Sequence, residues 1–187
     1  MRAKAPIIDI KPNAARILEA LVFLISEADR LHKSASQYDI VKSLFLSDRR
    51  HLNEYGRPIT FDRYVAMEHG PVPSNAYDLL KSDPSLKNLP WTRVQTGHKV
   101  FQYSNAQRSF DENILSESDC EALYESFITV KSLGFQQIRK LTHEDPAYVD
   151  AWDDESDKKA FVMSYAMLYD FPAVDKAQEL KFISEHI

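Results

Sequence analysis

Apolar residues recur at helical spacing from Ile17, through Leu18, Leu21, Leu24, Ile25 and Ala28, to Leu31, and Val22 and Phe23 widen the stripe. The pattern predicts a central helix that starts after Asn13, a good N-cap, and runs to about His32. A second stripe follows: Val41, Leu44, Phe45, Asp48, Leu52 and Tyr55. It opens with Ser36 and, three residues on, Asp39, a variant of the capping box. Gly56 stops it as a left-handed cap and Pro58 prevents continuation. One position of that inward stripe, Asp48, is a carboxylate.

From Ile59 to Met67 the pattern is extended, with Tyr64–Met67 the best strand and Pro71-Val72-Pro73 a break. Ser74 is placed to cap a short helix containing Tyr77, Leu79 and Leu80, which ends near Asp83-Pro84. Trp91–Gln95 and Lys99–Tyr103 read as a hairpin, expected to pair with residues 63–67 in one small sheet. Everything after about Phe110 reads as helix. Ser116 and Asp119 repeat the capping pattern, and the stripe Cys120, Leu123, Tyr124, Phe127, Ile128 runs to a stop at Gly134. Shorter helices are expected over Phe135–Thr142, after the Asp145-Pro146 cap, and over about 156–170 and 173–185. The expected fold is mainly α with a small antiparallel β-sheet, an α+β domain with a three-stranded sheet or a hairpin. Residues 1–12 read as an arm, 13–152 as the domain, and 153–187 as a helical extension packed on it.

Composition changes this picture in two ways. The longest apolar run, Leu21–Ile25, is far too short for a membrane span, and one cysteine among 187 residues allows no internal disulfide. A cytoplasmic protein is expected. The net charge of −5 is unevenly spread: residues 1–110 carry 16 Lys and Arg against 11 Asp and Glu, and residues 111–187 carry 7 against 17. That split suggests two surfaces of opposite sign, or an acidic half that is simply well solvated.

Candidate chemistry is sparse. Asp48 on an inward face is either a catalytic acid or base, or an anchor bonded to the 59–70 segment; no second carboxylate lies nearby to complete an acid–base pair. His143-Glu144-Asp145 offers metal-ligand types, but a loop histidine beside a helix cap is the commoner explanation, and no cysteine set or two-histidine helical spacing accompanies it. With four glycines and no Gly-flanked serine, neither a phosphate loop nor a nucleophile elbow is present. No cofactor is expected and enzymatic activity is unsupported. The element order also approximates a winged helix-turn-helix, so a DNA-binding, autoregulatory protein is the alternative. Its recognition helix would carry Asp78 and a single lysine, which suits groove reading poorly.

The segment Asp48-Arg49-Arg50-His51-Leu52 through Tyr55-Gly56-Arg57-Pro58-Ile59-Thr60, with Asp62-Arg63-Tyr64-Val65-Ala66-Met67 and His69-Gly70-Pro71-Val72-Pro73-Ser74, resembles the Panacea domain of SocA-like antitoxins. Leu141-Thr142-His143-Glu144-Asp145-Pro146-Ala147-Tyr148 is similar to the family's histidine-glutamate-x-proline-aromatic segment, its aromatic one residue late. The resemblance spans about Asn13–Trp152. It implies a non-enzymatic antitoxin that neutralises a cognate toxin by direct binding, the toxin being of a kind that blocks translation; some members resemble adaptors that deliver the toxin to a protease. It implies structural roles for Asp48, Tyr55, Gly56, Tyr64, His69, Gly70, Pro71, His143 and Pro146. Two sets of residues are the expected toxin contacts: the basic Arg49, Arg50, Arg57 and Arg63, and the acidic Asp153, Asp154, Glu155 and Asp157. The arginines are expected either to face a partner's carboxylate or phosphate, or to pair internally with Glu54 or Asp62. The acidic set is expected at a helix start, where it would face a basic toxin or simply favour the helix dipole.

Overall fold

The computed structural model describes residues 4–187. Helix α1 covers Ala14–Arg30, with the Asn13 side chain accepting from the Arg16 amide. After the two-residue strand β1 (Ala35–Ser36), helix α2 runs Gln37–Tyr55 behind a full Ser36/Asp39 capping box and ends at Gly56 in the left-handed region, φ 78°. Strands β2 (Tyr64–Met67) and β3 (Gly70–Pro73) form a hairpin that leads directly into α3 (Ser74–Lys81) and the short α4 (Pro84–Lys87). Strands β4 (Thr92–Gly97) and β5 (Val100–Ser104) follow. Helix α5 (Glu117–His143) also opens with a capping box and breaks at Gly134 (φ 71°, ψ 176°), so its two halves are the two helices expected from the sequence. Helix α6 (Pro146–Ala151), strand β6 (Phe161–Val162), a 3-10 turn at Tyr165–Met167 and α7 (Val174–Glu185) complete the chain.

The α+β reading holds, but the single expected sheet is two. The β4–β5 hairpin pairs with β1, not with β2, in the order β1-β5-β4. Tyr103 pins it there, its hydroxyl donating to the Leu80 carbonyl at 2.7 Å. Strand β2 has no free edge to offer the hairpin, because β3 holds one side and β6 the other. The proline run expected to break the strand is itself β3. In its register Pro71 and Pro73 stand opposite Ala66 and Tyr64, the alternate positions whose N–H would point away from β2 on an edge strand, so nothing is lost by lacking one. The helix expected over 156–170 is likewise replaced by β6 and the 3-10 turn. A central strand cannot leave its second edge unpaired in the interior, and β6 satisfies it.

Ser74 does not cap α3. Its amide and hydroxyl both donate to the Arg63 carbonyl, at 2.8 and 3.0 Å, as the next rung of the β2–β3 ladder. Asp62 takes over, its carboxylate accepting from the amides of Asn75 and Ala76 at 3.1 and 2.8 Å.

Two apolar clusters result. The first joins α1, the start of α2, α3, the β5 hairpin and the first half of α5, around Leu21, Leu24, Ile40, Trp91 and Phe127. The second joins the far end of α2, β2, α6 and the last third of the chain, around Phe45, Tyr64, Tyr148, Tyr165 and Leu180. Ile8 and Ile10 of the N-terminal arm are buried in that second cluster, and Tyr165 donates its amide to the Ile8 carbonyl at 2.9 Å. Tyr55, expected inward, is 55% exposed and lies flat against His51 with ring centres 4.5 Å apart.

Candidate functional site

Asp48 anchors the loop after α2. Its side chain is buried and accepts from the Ile59 amide at 2.8 Å, the Thr60 amide at 2.9 Å, the Thr60 hydroxyl, and the Tyr64 hydroxyl at 2.8 Å. Burial pushes its carboxyl up to about 6 while those hydrogen bonds pull it down. Every oxygen is engaged and none faces a cleft. The anchor reading of Asp48 is the one the geometry supports.

The four motif arginines are paired within the chain. Arg49 meets Asp145 at 2.7 Å and Asp170 at 2.9 Å; Arg50 meets Glu54 at 2.8 Å and also Glu125. Arg57 meets Asp119 at 3.0 Å, and Arg63 meets Asp9 at 2.6 Å. Glu54 is thus one of the internal partners, whereas Asp62 serves only as the α3 cap. Asp119 is a hub: it also accepts from Arg16 at 2.7 Å and lies 3.2 Å from His51 Nε2. Burial pushes the Asp119 carboxyl up, but the hydrogen bonds from Arg57 and Ser116 and the charge of Arg16 hold it below its ordinary value.

The acidic set lies in the turn between α6 and β6 and starts no helix. Asp153 accepts from the Glu155 amide at 3.1 Å, and Asp154 accepts from the Trp152 indole at 2.5 Å. Glu155 and Asp157 are exposed.

A different face gathers the remaining motif residues. The β2–β3 turn, Glu68-His69-Gly70, lies against the second half of α5. Gly70 has φ 95°, and a Cβ there would sit 2.7 Å from Thr142 Oγ1 and 2.8 Å from Lys42 Nζ. Only glycine fits both the angle and the space. Lys42 is buried, donates to the Pro71 carbonyl at 2.8 Å and lies under the Tyr38 ring at 5.4 Å. Burial pushes its ammonium down to about 7. His143 stacks on Tyr148 with centres 4.5 Å apart, and Tyr148 stacks in turn on Trp152 at 5.7 Å. The Tyr148 hydroxyl donates to the Met67 carbonyl at 3.0 Å, which ties α6 to β2. Burial first, then the charges of Arg139, Lys42 and His69, hold the His143 imidazole below its ordinary value. Pro146 takes the first position of α6, behind the Asp145 cap.

This turn separates two hollows. One, of about 550 Å³, is lined by Tyr38, Val41, Met67, Val72, Tyr77, Phe101 and Phe135, with Lys42, His69 and Lys99 among them. The other, of about 400 Å³, is lined by Glu68, Arg139, His143, Tyr148, Val149, Trp152 and Asp154. Glu68 lines both. Phe135, Val100 and Val149 stand about half exposed around the two. Sequence reasoning found His69, Gly70 and His143 but missed Lys42, Phe135, Arg139 and Trp152. For Lys42 a signal was present: it sits next to Val41 at the start of the inward stripe.

Among the described residues no three His, Cys, Asp or Glu side chains are grouped as metal ligands, and no helix is long and apolar enough to cross a membrane. No curated protein and no solved structure matches the chain. A family model does, over residues 40–148: the SocA-like antitoxin, Panacea domain. That span holds the Asp48 anchor, the β2–β3 turn, both halves of α5 and most of the two hollows. By this match, which covers more than half of its length, the chain belongs to the family of SocA-like antitoxins with a Panacea domain.

Proposed function

We propose that this protein is an antitoxin that neutralises a cognate toxin by direct contact, and that the toxin docks on the face formed by the β2–β3 turn, the second half of α5 and the hairpin tip. The observation that carries the docking face is its half-exposed apolar rim, Phe135, Val100 and Val149, set around two open hollows that lie mostly in the family-matched region. The acidic turn contributes at one edge, since Asp154 lines the smaller hollow. Arg49, Arg50, Arg57 and Arg63 are committed to carboxylates of the chain and belong to the scaffold. The family implies a toxin as partner, and arrest of protein synthesis is the toxicity we expect this one to relieve. Co-expression with the adjacent reading frame tests the reading. Wild type is expected to restore growth, and Phe135→Asp with Val149→Asp to abolish rescue while melting as wild type does. Full rescue by that double variant would move the toxin elsewhere.

One observation favours the second reading, promoter DNA binding: β1, β5 and β4 close against α1–α3 as a wing would. The exposed side of α3, however, offers Asn75, Asp78 and Lys81, and Lys81 pairs with Asp78 at 3.1 Å. A promoter shift that weakens steeply with salt would support it.

A further inference from the structure

Nine arginines lie among the described residues, and eight of their guanidiniums have a partner. Those of Arg16, Arg30, Arg49, Arg50, Arg57, Arg63 and Arg108 meet carboxylates, and that of Arg93 donates to the Lys81 carbonyl. Arg139 is the ninth. Among the described residues its guanidinium makes no hydrogen bond and no ion pair, although the side chain is half-buried in the wall of the smaller hollow. Beside it, His143 Nε2 is buried and also lacks a partner. Neutral, that nitrogen accepts; protonated, as a carboxylate set beside it would favour, it donates alongside the Arg139 guanidinium.

We propose that Arg139, with His143, receives a carboxylate from the docked toxin, an aspartate or glutamate side chain or the chain terminus, flanked by apolar residues. The inference rests on the docking-face reading above and names the chemistry of the contact. A planar carboxylate suits the guanidinium fork. The walls around it, Tyr148, Val149 and Trp152, offer rings and a methyl-bearing side chain to apolar neighbours of that carboxylate. A nucleic acid fits less well, because Glu68 and Asp154 line the same hollow and oppose a run of phosphates more strongly than they oppose one carboxylate.

Titration calorimetry with the toxin from the adjacent reading frame tests this, using the full chain. Arg139→Gln is expected to weaken binding at least 30-fold with an unchanged melting temperature. Arg139→Lys should lie between, and Arg30→Gln, remote on α1, should bind as wild type does. A free fragment gives an independent readout. N-acetyl-phenylalanine should shift the His143 and Trp152 ring signals in NMR spectra of the wild type but not of Arg139→Gln, and its amide should shift neither. Three results would overturn the proposal: equal toxin affinity for Arg139→Gln and wild type, equal shifts from acid and amide, or displacement of the toxin from wild type by a short RNA but not by N-acetyl-phenylalanine. If Arg139→Gln binds at full strength while Phe135→Asp/Val149→Asp does not, the carboxylate contact falls and the docking face stands. If both bind at full strength, the docking face falls as well.

Discussion

Two groups of basic side chains face different fates in this molecule. Arg16, Arg57 and His51 converge on one buried carboxylate, Asp119, and so clamp the starts of α1 and α5 to the end of α2. Lys42 and His143 close on Gly70, and Arg139 stands beside His143 in the wall of the smaller hollow; Lys42 donates to a backbone carbonyl, and neither the Arg139 guanidinium nor His143 Nε2 has a hydrogen-bond partner among the described residues. The first arrangement is what a scaffold needs, because a buried charge with its partner is rigid and removal of either leaves the other stranded. On the proposed reading, the Arg139 side of the second arrangement awaits an anion that the partner supplies. Whether a basic side chain has a carboxylate of its own separates the clamp at Asp119 from the cluster beside the smaller hollow.

The largest loss is expected at Asp119. Asp119→Ala would strand two guanidiniums, and is expected to cost about 4 kcal/mol, the scale for breaking a buried pair, in urea unfolding. A loss below about 1 kcal/mol would mean the clamp does not hold the scaffold.

Asp48 is the contrasting case, a buried carboxylate satisfied by neutral donors only. Asp48→Ala should cost about 2 kcal/mol by orphaning them. The two carboxylates also have opposite pH signs. Asp48 is raised from 3.8 to about 6, so between about pH 4 and 6 the folded state holds its proton more tightly than the unfolded chain, and its contribution to stability falls as pH rises. Asp119 is lowered, so its contribution is present above the ordinary carboxyl value and fades as pH drops through and below it. Denaturation of Asp48→Asn across pH 4–6 should therefore lack a decline that wild type shows. Parallel profiles would refute the assignment.

Next come two glycines. Gly56→Ala meets nothing within 4 Å, so its cost is the left-handed backbone alone, about 1 kcal/mol. Gly70→Ala adds collisions with Thr142 and Lys42, and should cost about 2 kcal/mol. Equal thermal shifts for the pair would mean that Lys42 is not tightly seated. The smallest effect is expected at Arg50, whose partners Glu54 and Glu125 are nearly half exposed. Arg50→Ala should change stability by less than about 1 kcal/mol.

How much of this was legible depends on whether the signal is local. The helix starts at Asn13, Ser36 and Ser116 and the stops at Gly56 and Gly134 are written in adjacent residues, and they stand in the structure as read. Asp48 was legible too, because a carboxylate on an apolar stripe must find donors. Long-range choices were not. Nothing near Phe161-Val162 tells that it will complete a strand nearly a hundred residues earlier, and β3 hides behind two prolines whose harmlessness depends on which edge they face. Arg50 meets Glu54 four residues on, one of the pairings the sequence offers, but Arg49, Arg57 and Arg63 find carboxylates on distant segments, and Arg139 showed no special pattern at all.

The β6–β2 pairing has a consequence for how the protein is made. Synthesis runs from the N-terminus, and the first apolar cluster contains nothing beyond Phe127 among its buried residues, so it can close early. The second cannot. It needs Met163, Tyr165 and Leu180, and Trp152, a wall of the smaller hollow, packs edge-on against Phe161 at 5.4 Å. A chain still held in the ribosome near its end therefore lacks the backing of that wall. On the proposed reading, a half-made antitoxin gives no partial protection: a stalled ribosome leaves the toxin unopposed, and the same arrest of translation that the toxin causes would withhold its remedy.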